Sequence, residues 1–555
     1  MTKKKRIILW SVLGGVALIL IICIFCADAI VTNIADKELK EALSKNDKVQ
    51  LSYDKLHVLL MSGTVSLSNI EATIPSPDTL SKVKAEQIIK IQNLDIRGIN
   101  WLKLRKKELN IMEITIKSPQ AQIVLPPKEL KKKKKDSKAG LEADTLQHAD
   151  STAANPFKIS VGRIKLKNGS LALTRIGDKF SISADSLNLK VYDLGYDVAE
   201  KQMAYNDSLY IVSLNNFNML SSDGLFQLTV GQLSTADAGA VNIKDIHALN
   251  TCKQQSLAKL MGKIPVTWVD AVIPEITTSE FNLVRQIVQK NIDIQNIDVK
   301  GKRVVIYRDT QYPPKVPFGM PQEDIMNIPV PVSVNNIHVT LPNFTAYVTE
   351  DGTHAGVMPL NHLNINMNSF NNKHGNTLAS QINGKLGESK LNINLSLHND
   401  KACTFDYSFY SEDISSDILN GFIHPLSGTS LYANFHSIDI KTKGNKQANR
   451  GTFCMIYDSL SMHITKEDAP ERLAKNAGVI NAFAPAVIQK QNPRSHGKDP
   501  FVAEIDLPRN PQKNFVTYVI DPLTDGIMHS AFPEGIYQSI RKSMYGDSSS
   551  QAKKK

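Results

Sequence analysis

Apolar and polar positions along this chain repeat one eight-residue phrase: apolar, polar, apolar, two polar, apolar, polar, apolar. Copies begin at Val65, Ile89, Ile159, Ile182, Val241, Ile292, Val332, Met358 and Ala433. With 42% apolar residues, chance supplies roughly two such windows, so most copies have a common structural cause. Each half of the phrase alternates with period 2, which places its apolar side chains on one face of a β-strand. The doubled polar step shifts the parity, so a plain strand would bury one half and expose the other. A β-bulge at that step restores a single apolar face and bends the strand. The phrase therefore predicts strongly curved sheet. It is compatible both with an ordinary amphipathic antiparallel protein and with a long curved groove.

Two windows of pure alternation, Leu391 to Leu397 and Phe405 to Phe409, add to the strand content. The expected fold class is mainly β, an elongated, strongly curved antiparallel sheet forming a groove, with short C-terminal helices. Residues 29–45 read as a helix, with Ile34, Leu39 and Leu43 roughly on one face. A first β-module follows to residue 125. Residues 126–156, rich in Lys, Asp, Ala and Ser without apolar period, read as a disordered linker. The β-body is expected over 157–465. Within it Asn168-Gly169, between Ile164-Lys-Leu166 and Leu171-Ala-Leu173, signals a hairpin. Residues 257–268 look mixed or helical, and the prolines between Tyr312 and Pro331 predict an extended loop. Residues 466–555 should form short capping helices and a basic tail. Phe515, Val519, Leu523, Ile527 and Met528 allow the alternative of a tip that docks on a membrane or partner.

The N-terminus adds a location. Lys3, Lys4, Lys5 and Arg6 precede 21 uncharged residues, Ile7 to Ala27. As a helix that stretch is about 32 Å long, enough for the hydrocarbon core of a bilayer. The four basic residues set the topology, holding residues 1–6 in the cytoplasm and sending residues 28–555 to the other side. Ala27-Asp28-Ala29 resembles a signal-peptide cleavage site, but the apolar stretch exceeds the usual signal length. Cys23 invites a lipoprotein reading, which the bulky Ile21 and Ile22 before it disfavour.

The net charge of +11 among 555 residues does not point to nucleic acid, because twelve of the 65 basic residues lie in the N-terminal tail, the Lys131 to Lys135 run and the last three positions. The lysine run is a solvated linker or a contact with anionic head groups. Cys252, Cys403 and Cys454 are exported, permitting at most one disulfide.

Chemistry-bearing motifs are missing. No His-Glu-x-x-His, Gly-x-Ser-x-Gly, phosphate loop or paired Cys-x-x-Cys occurs. His354, His362 and His374 lack metal-ligand spacing, and Ser459 beside Asp458 and His463 is no evidence of a triad. No catalytic residue, metal or cofactor is expected, and the chain reads as a non-enzyme.

A basic start, one span and a short helix lead to Leu56-His-Val-Leu-Leu-Met-Ser-Gly-Thr-Val-Ser-Leu-Ser-Asn-Ile70. Further on come Ile99-Asn-Trp-Leu-Lys-Leu104, Leu109-Asn-Ile-Met-Glu-Ile-Thr-Ile-Lys-Ser-Pro119, the run Phe157 to Leu171, and Gly451 to Leu460. These segments resemble AsmA-like proteins of Gram-negative envelopes. The resemblance implies a single inner-membrane anchor, a periplasmic sheet curled into an apolar groove, and a role in phospholipid movement and outer-membrane assembly. This chain is shorter than the family's large transporters. The expected partners are the inner membrane, phospholipid acyl chains and an outer-membrane or periplasmic assembly protein. Candidate groove residues are Ile89, Ile91, Ile159, Val161, Ile292, Ile294, Val332 and Val334, with a closed core as the alternative. A non-catalytic scaffold for outer-membrane assembly factors, without lipid cargo, is the second functional reading.

Overall fold

Strands dominate the fold, and several of them carry bulges. The computed structural model describes residues 28–41, 43, 50–75, 86–104, 106–125, 127, 158–197, 202–204, 210–235, 240–279, 281, 286, 290–469, 471–494 and 499–545. The basic tail 1–6, the expected transmembrane helix 7–27, nearly all of the linker 126–156 and the final tail lie outside them. Among the described residues no helix is long and apolar enough to cross a membrane. Of the described residues 57% are strand and 19% helix.

The chain divides into two units, Met1–Gly224 with Thr229–Gly239, and Leu225–Leu228 with Ala240–Lys555. The first runs α1 (residues 28–41), β1 (Gln50–Ser52), β2 (Lys55–Leu59), β3 (Thr64–Pro75), β4 (Glu86–Arg97), α2 (Trp101–Leu104), β5 (Glu108–Ile111), β6 (Glu113–Lys117) and β7 (Gln120–Leu125). It continues with β8 (Lys158–Arg175), β9 (Ser181–Asp197), β10 (Gln202–Ala204) and β11 (Tyr210–Leu220). Strand β12 (Phe226–Thr235) has residues in both units.

The second unit runs β13 (Val241–Asn250), α3 (Leu257–Leu260), β14 (Val266–Ser279), β15 (Ile292–Lys300), β16 (Arg303–Asp309), α4 (Pro321–Met326), β17 (Val332–Thr349) and β18 (Ala355–Asn371). Then come β19 (Thr377–Leu386), β20 (Ser389–His398), β21 (Phe405–Ile414), α5 (Ser416–Ser427), β22 (Thr429–Gly444) and β23 (Ala448–Ile464). It closes with α6 (Glu471–Val487), β24 (Val502–Pro508), α7 (Phe515–Ala531) and α8 (Glu534–Tyr545).

The sheet is mixed, which corrects the antiparallel expectation at one joint in each unit. Strands β5, β6 and β7 act as one interrupted strand, antiparallel to β4 through β6 and β7 and parallel to β8. Every residue there faces the one 50 positions later: Leu109 with Ile159, Ile114 with Ile164, Ala121 with Leu171. Strands β15 and β16 repeat the device against β17 with an offset of 40, Ile292 with Val332 and Val304 with Phe344. A parallel partner requires a connection long enough to return the chain to its starting end, and residues 126–157 and 310–331 supply it. The phrase copy at Ile292 thus pairs in register with the copy at Val332.

Asn168-Gly169 is not a hairpin. Strand β8 runs through it with register shifts against β9 on both sides, and Asn168 takes φ 52°. The parallel neighbour holds the chain straight, with Ser118 N–H donating to Lys167 O and Ser170 N–H to Pro119 O. The proline-rich segment is irregular apart from α4, and among the described residues no disulfide joins Cys252, Cys403 and Cys454.

The doubled polar step is a bulge in several copies. Its second residue has positive φ in four of them: Asn69, Ser186, Asp245 and His362. In the copy at Ala433 the register against β23 slips between Phe435 and Ser437. A single left-handed residue or an extra residue inside a strand turns the next side chain back onto the face just left.

The C-terminal helices cover sheet. Helix α5 starts where Ser415 Oγ accepts Asp417 N–H and ends at Gly428, φ 66°. Asn420 clamps it to β22, accepting from Leu431 N–H and donating to Leu431 O, both at 2.8 Å. Asn514 caps α7 by accepting Thr517 N–H at 2.8 Å. Tyr457 donates its hydroxyl to Gln489 O and Ser530 O, tying β23 beneath α6 and α7.

Candidate functional site

Strand registers in the second unit align one apolar row across eleven strands. It starts Ile243, Ile276, Val299, Val339, Ile365, Ile382, in β13, β14, β15, β17, β18 and β19. It continues Ile393, Phe409, Ile440, Phe453, Ala503, in β20 to β24. Eleven paired strands thus carry an apolar residue at one level. The adjacent row on the opposite face is polar: His338, Asn366, Gln381, Asn394 and Ser408 are paired in the same order. Alternation within each strand produces this division.

Burial changes along the row. From Ile243 to Phe409 every member is half-buried. Ile440, Phe453 and Ala503 are 1%, 0% and 0% exposed. The cause is α7, whose Gly526 lies on Phe453 so closely that an added Cβ would sit 2.1 Å from the ring. Phe515, Val519, Leu523, Ile527 and Met528, which allowed a docking tip, pack into this core instead.

The first unit has its own row: Leu67, Leu94, Ile116, Leu166, Leu189 and Val212 are paired in succession across β3, β4, β6, β8, β9 and β11. A parallel row runs Val65, Ile96, Ile114, Ile164, Val191. All of these are half-buried. Its described helices are α1, bonded to the β2 end through Thr32 and Val58, and the four-residue α2.

The opposite face of this unit is ionic. Lys117 Nζ lies 3.0 Å and Arg97 3.8 Å from the Asp95 carboxylate. Lys165 and Arg163 lie 2.7 and 3.3 Å from Glu113. Burial pushes the Asp95 carboxyl up, but hydrogen bonds from Lys117 and Ser66 and the charges of Lys117 and Arg97 outweigh it and hold the group below its ordinary value. Glu113 is held low chiefly by its hydrogen bond from Lys165.

The expected groove residues fall into two settings. Ile89 and Ile91 are half-buried on β4, Ile91 facing buried Ile70, and Ile159 is half-buried beside buried Val161 on β8. These two pairs sit on different rows, because Ile89 aligns with Ala121 and Leu171 whereas Ile159 aligns with Leu109. Ile294, Val332 and Val334 are brought together in a closed cluster with Phe281, Ile328 and Phe370, while Ile292 is 37% exposed. The residues missed by sequence reading, Ile365, Ile382 and Ile393, hold the middle of the row. Ile365 belongs to a phrase copy, and Ile393 lies in an alternating window.

Two other candidates fail on geometry. Ser459 donates to Asp458 Oδ1 at 2.9 Å and Asp458 Oδ2 meets His436 Nε2 at 2.9 Å, so the serine hydroxyl bonds to the carboxylate and not to an imidazole as in a Ser-His-Asp relay. A cavity of 820 Å³, lined by Pro359 and Ile418 as well as Glu388, Lys390, Glu412 and Asp417, shares no residue with the row. Neither a protein-family model nor a curated protein matches the chain.

Proposed function

We propose that this chain is an AsmA-like protein of a Gram-negative envelope, anchored in the inner membrane by residues 7–27 with residues 28–555 in the periplasm. In this reading it supports outer-membrane biogenesis by holding or conducting phospholipid acyl chains along its apolar rows. The observation that carries the reading is the eleven-strand row, half-buried over eight strands and flanked on the other face by amides and hydroxyls. Acyl chains leave water there at about 0.8 kcal/mol per buried methylene. Such contacts are non-directional, so a chain can slide from one strand to the next.

A photocrosslinking residue at Ile382 in the membrane-embedded full chain tests this. Phospholipid adducts at Ile382, absent at neighbouring Gln381 on the polar face, are the expected result. Protein adducts alone at Ile382 would replace the carrier reading with a scaffold.

A further inference from the structure

We propose that the end of the first unit where α1, the β2–β3 turn and α2 meet is a foot that rests on an anionic bilayer surface. The proposal rests on the reading of residues 7–27 as a membrane anchor. Three segments converge at Leu60. Asp28, the first residue after the apolar stretch, accepts Leu60 N–H at 2.9 Å, and the Trp101 indole N–H donates to Leu60 O at 3.0 Å. Ile99 N–H donates to Gly63 O at 2.9 Å. Gly63 is required there: it has φ 59°, and a Cβ would lie 2.4 Å from Ile99 O. The point where the chain leaves the bilayer is therefore fixed to the turn and to α2.

What this end presents suits a membrane interface. Met61 is 79% exposed, Leu102 77%, Ile30 60% and Trp101 36%. Exposed apolar groups clustered this way mark an interaction surface, and Trp is the residue that favours the head-group layer. The run Trp101-Leu-Lys-Leu-Arg-Lys-Lys107 adds four positive charges without an acid, and Lys103, Lys106 and Lys107 are exposed. Glu108 lies 3.9 Å from Lys103. Basic residues beside inserted apolar side chains match anionic head groups above acyl tails. The occupant is thus a lipid surface, selected by where residue 28 is held and by charge.

The chain has tryptophans at 10, 101 and 268, so double Trp→Phe variants of the full chain leave one reporter each. Both are reconstituted in vesicles of phosphatidylcholine and phosphatidylglycerol whose acyl chains carry bromine near the head group or near the chain end. The foot requires Trp101 fluorescence to fall at least twofold with shallow bromine and less with deep bromine, and Lys103→Glu/Lys106→Glu/Lys107→Glu to restore at least half of the loss. Quenched Trp10 with unquenched, iodide-accessible Trp101 overturns the foot and leaves the anchor standing. Unquenched Trp101 that iodide also cannot reach assigns the patch to a protein partner instead. If Trp10 escapes shallow and deep bromine alike, the anchoring reading itself fails. Quenching of Trp101 that ignores the charge reversals overturns the anionic specificity.

Discussion

The row in the first unit and the last three strands of the row in the second unit are built from the same kind of strand, yet one is a half-buried surface and the other a core. Leu94, Ile116, Leu166 and Leu189 alternate with polar residues just as Ile440, Phe453 and Ala503 do. The difference lies outside the strands. Beyond β22 the chain adds α6, α7 and α8, and Tyr518, Val519, Ile527 and Tyr537 of α7 and α8 fill the space above the sheet. The described part of the first unit has only α1 and the four-residue α2. An amphipathic row is therefore neutral as to use: a covering helix makes it core, and its absence leaves it able to take a ligand.

The comparison breaks most readily with two alanine substitutions in one row. Phe453→Ala removes a ring that is 0% exposed beneath α7, at a cost of about 3–5 kcal/mol. Ile382→Ala removes a half-buried side chain and should cost about 1 kcal/mol. Urea unfolding of the full chain in detergent measures both, and equal costs would mean that Ile382 is as enclosed as Phe453. Gly526→Val tests the cover from the other side. Its Cβ cannot fit over Phe453 without lifting α7, so about 1–3 kcal/mol should be lost, with the loss confined to the second unit.

Acid should act on the two regions with opposite sign. In the first unit Asp95 and Glu113 are held below their ordinary values, so their contribution is present above the unfolded carboxylate range of about 4 and fades as pH falls through the depressed values. Beneath the C-terminal cover, burial raises Asp525, against the opposing effect of its hydrogen bond from Tyr537 and the charges of Arg541 and His529. Its contribution is complete below about pH 4 and is lost as pH rises through the raised value. Hydrogen-exchange protection, corrected for intrinsic rates, should therefore fall in residues 86–117 and rise in residues 515–545 on going from pH 7 to pH 4. Asp525→Asn keeps an acceptor for Tyr537 and should reduce the C-terminal part of that response, leaving the share of Asp521, whose carboxyl burial also raises. A C-terminal response identical in Asp525→Asn would show that Asp525 is ionised at no cost.

Much of this arrangement is legible in the sequence, and the illegible part has a physical cause. The apolar face of each strand follows from period 2, and the bulges at Asn69, Ser186, Asp245 and His362 follow from the doubled polar step. The direction of pairing does not. Ile292 and Val332 would show the same alternation in either orientation, and only the connection 310–331 brings them side by side in parallel. For the same reason Asn168-Gly169, a local hairpin signal, yields to long-range pairing with β6 and β7 and becomes a bulge. Which row members stay half-buried depends on helices far along the chain, such as α7, whose Gly526 lies on Phe453. No local pattern carries that information. The groove residues chosen from the phrase were accordingly divided between half-buried rows and the closed cluster around Val334.

The finest distinction concerns the bulges themselves, which both regions share whether covered or open. Ser186 has φ 50° and His362 φ 50°, a backbone conformation that costs a β-branched residue about 1–2 kcal/mol. If the left-handed residue is what returns the second half of the phrase to the apolar face, Ser186→Val and His362→Val should each destabilise by about that amount. Ser186→Gly and His362→Gly should stay within about 0.5 kcal/mol of the parent, because glycine adopts the conformation freely. Thermal unfolding separates the two outcomes. A valine variant as stable as its glycine counterpart would mean that the strand straightens at that step, and then Leu187 and Leu189 could not share a face with Ile182 and Ala184.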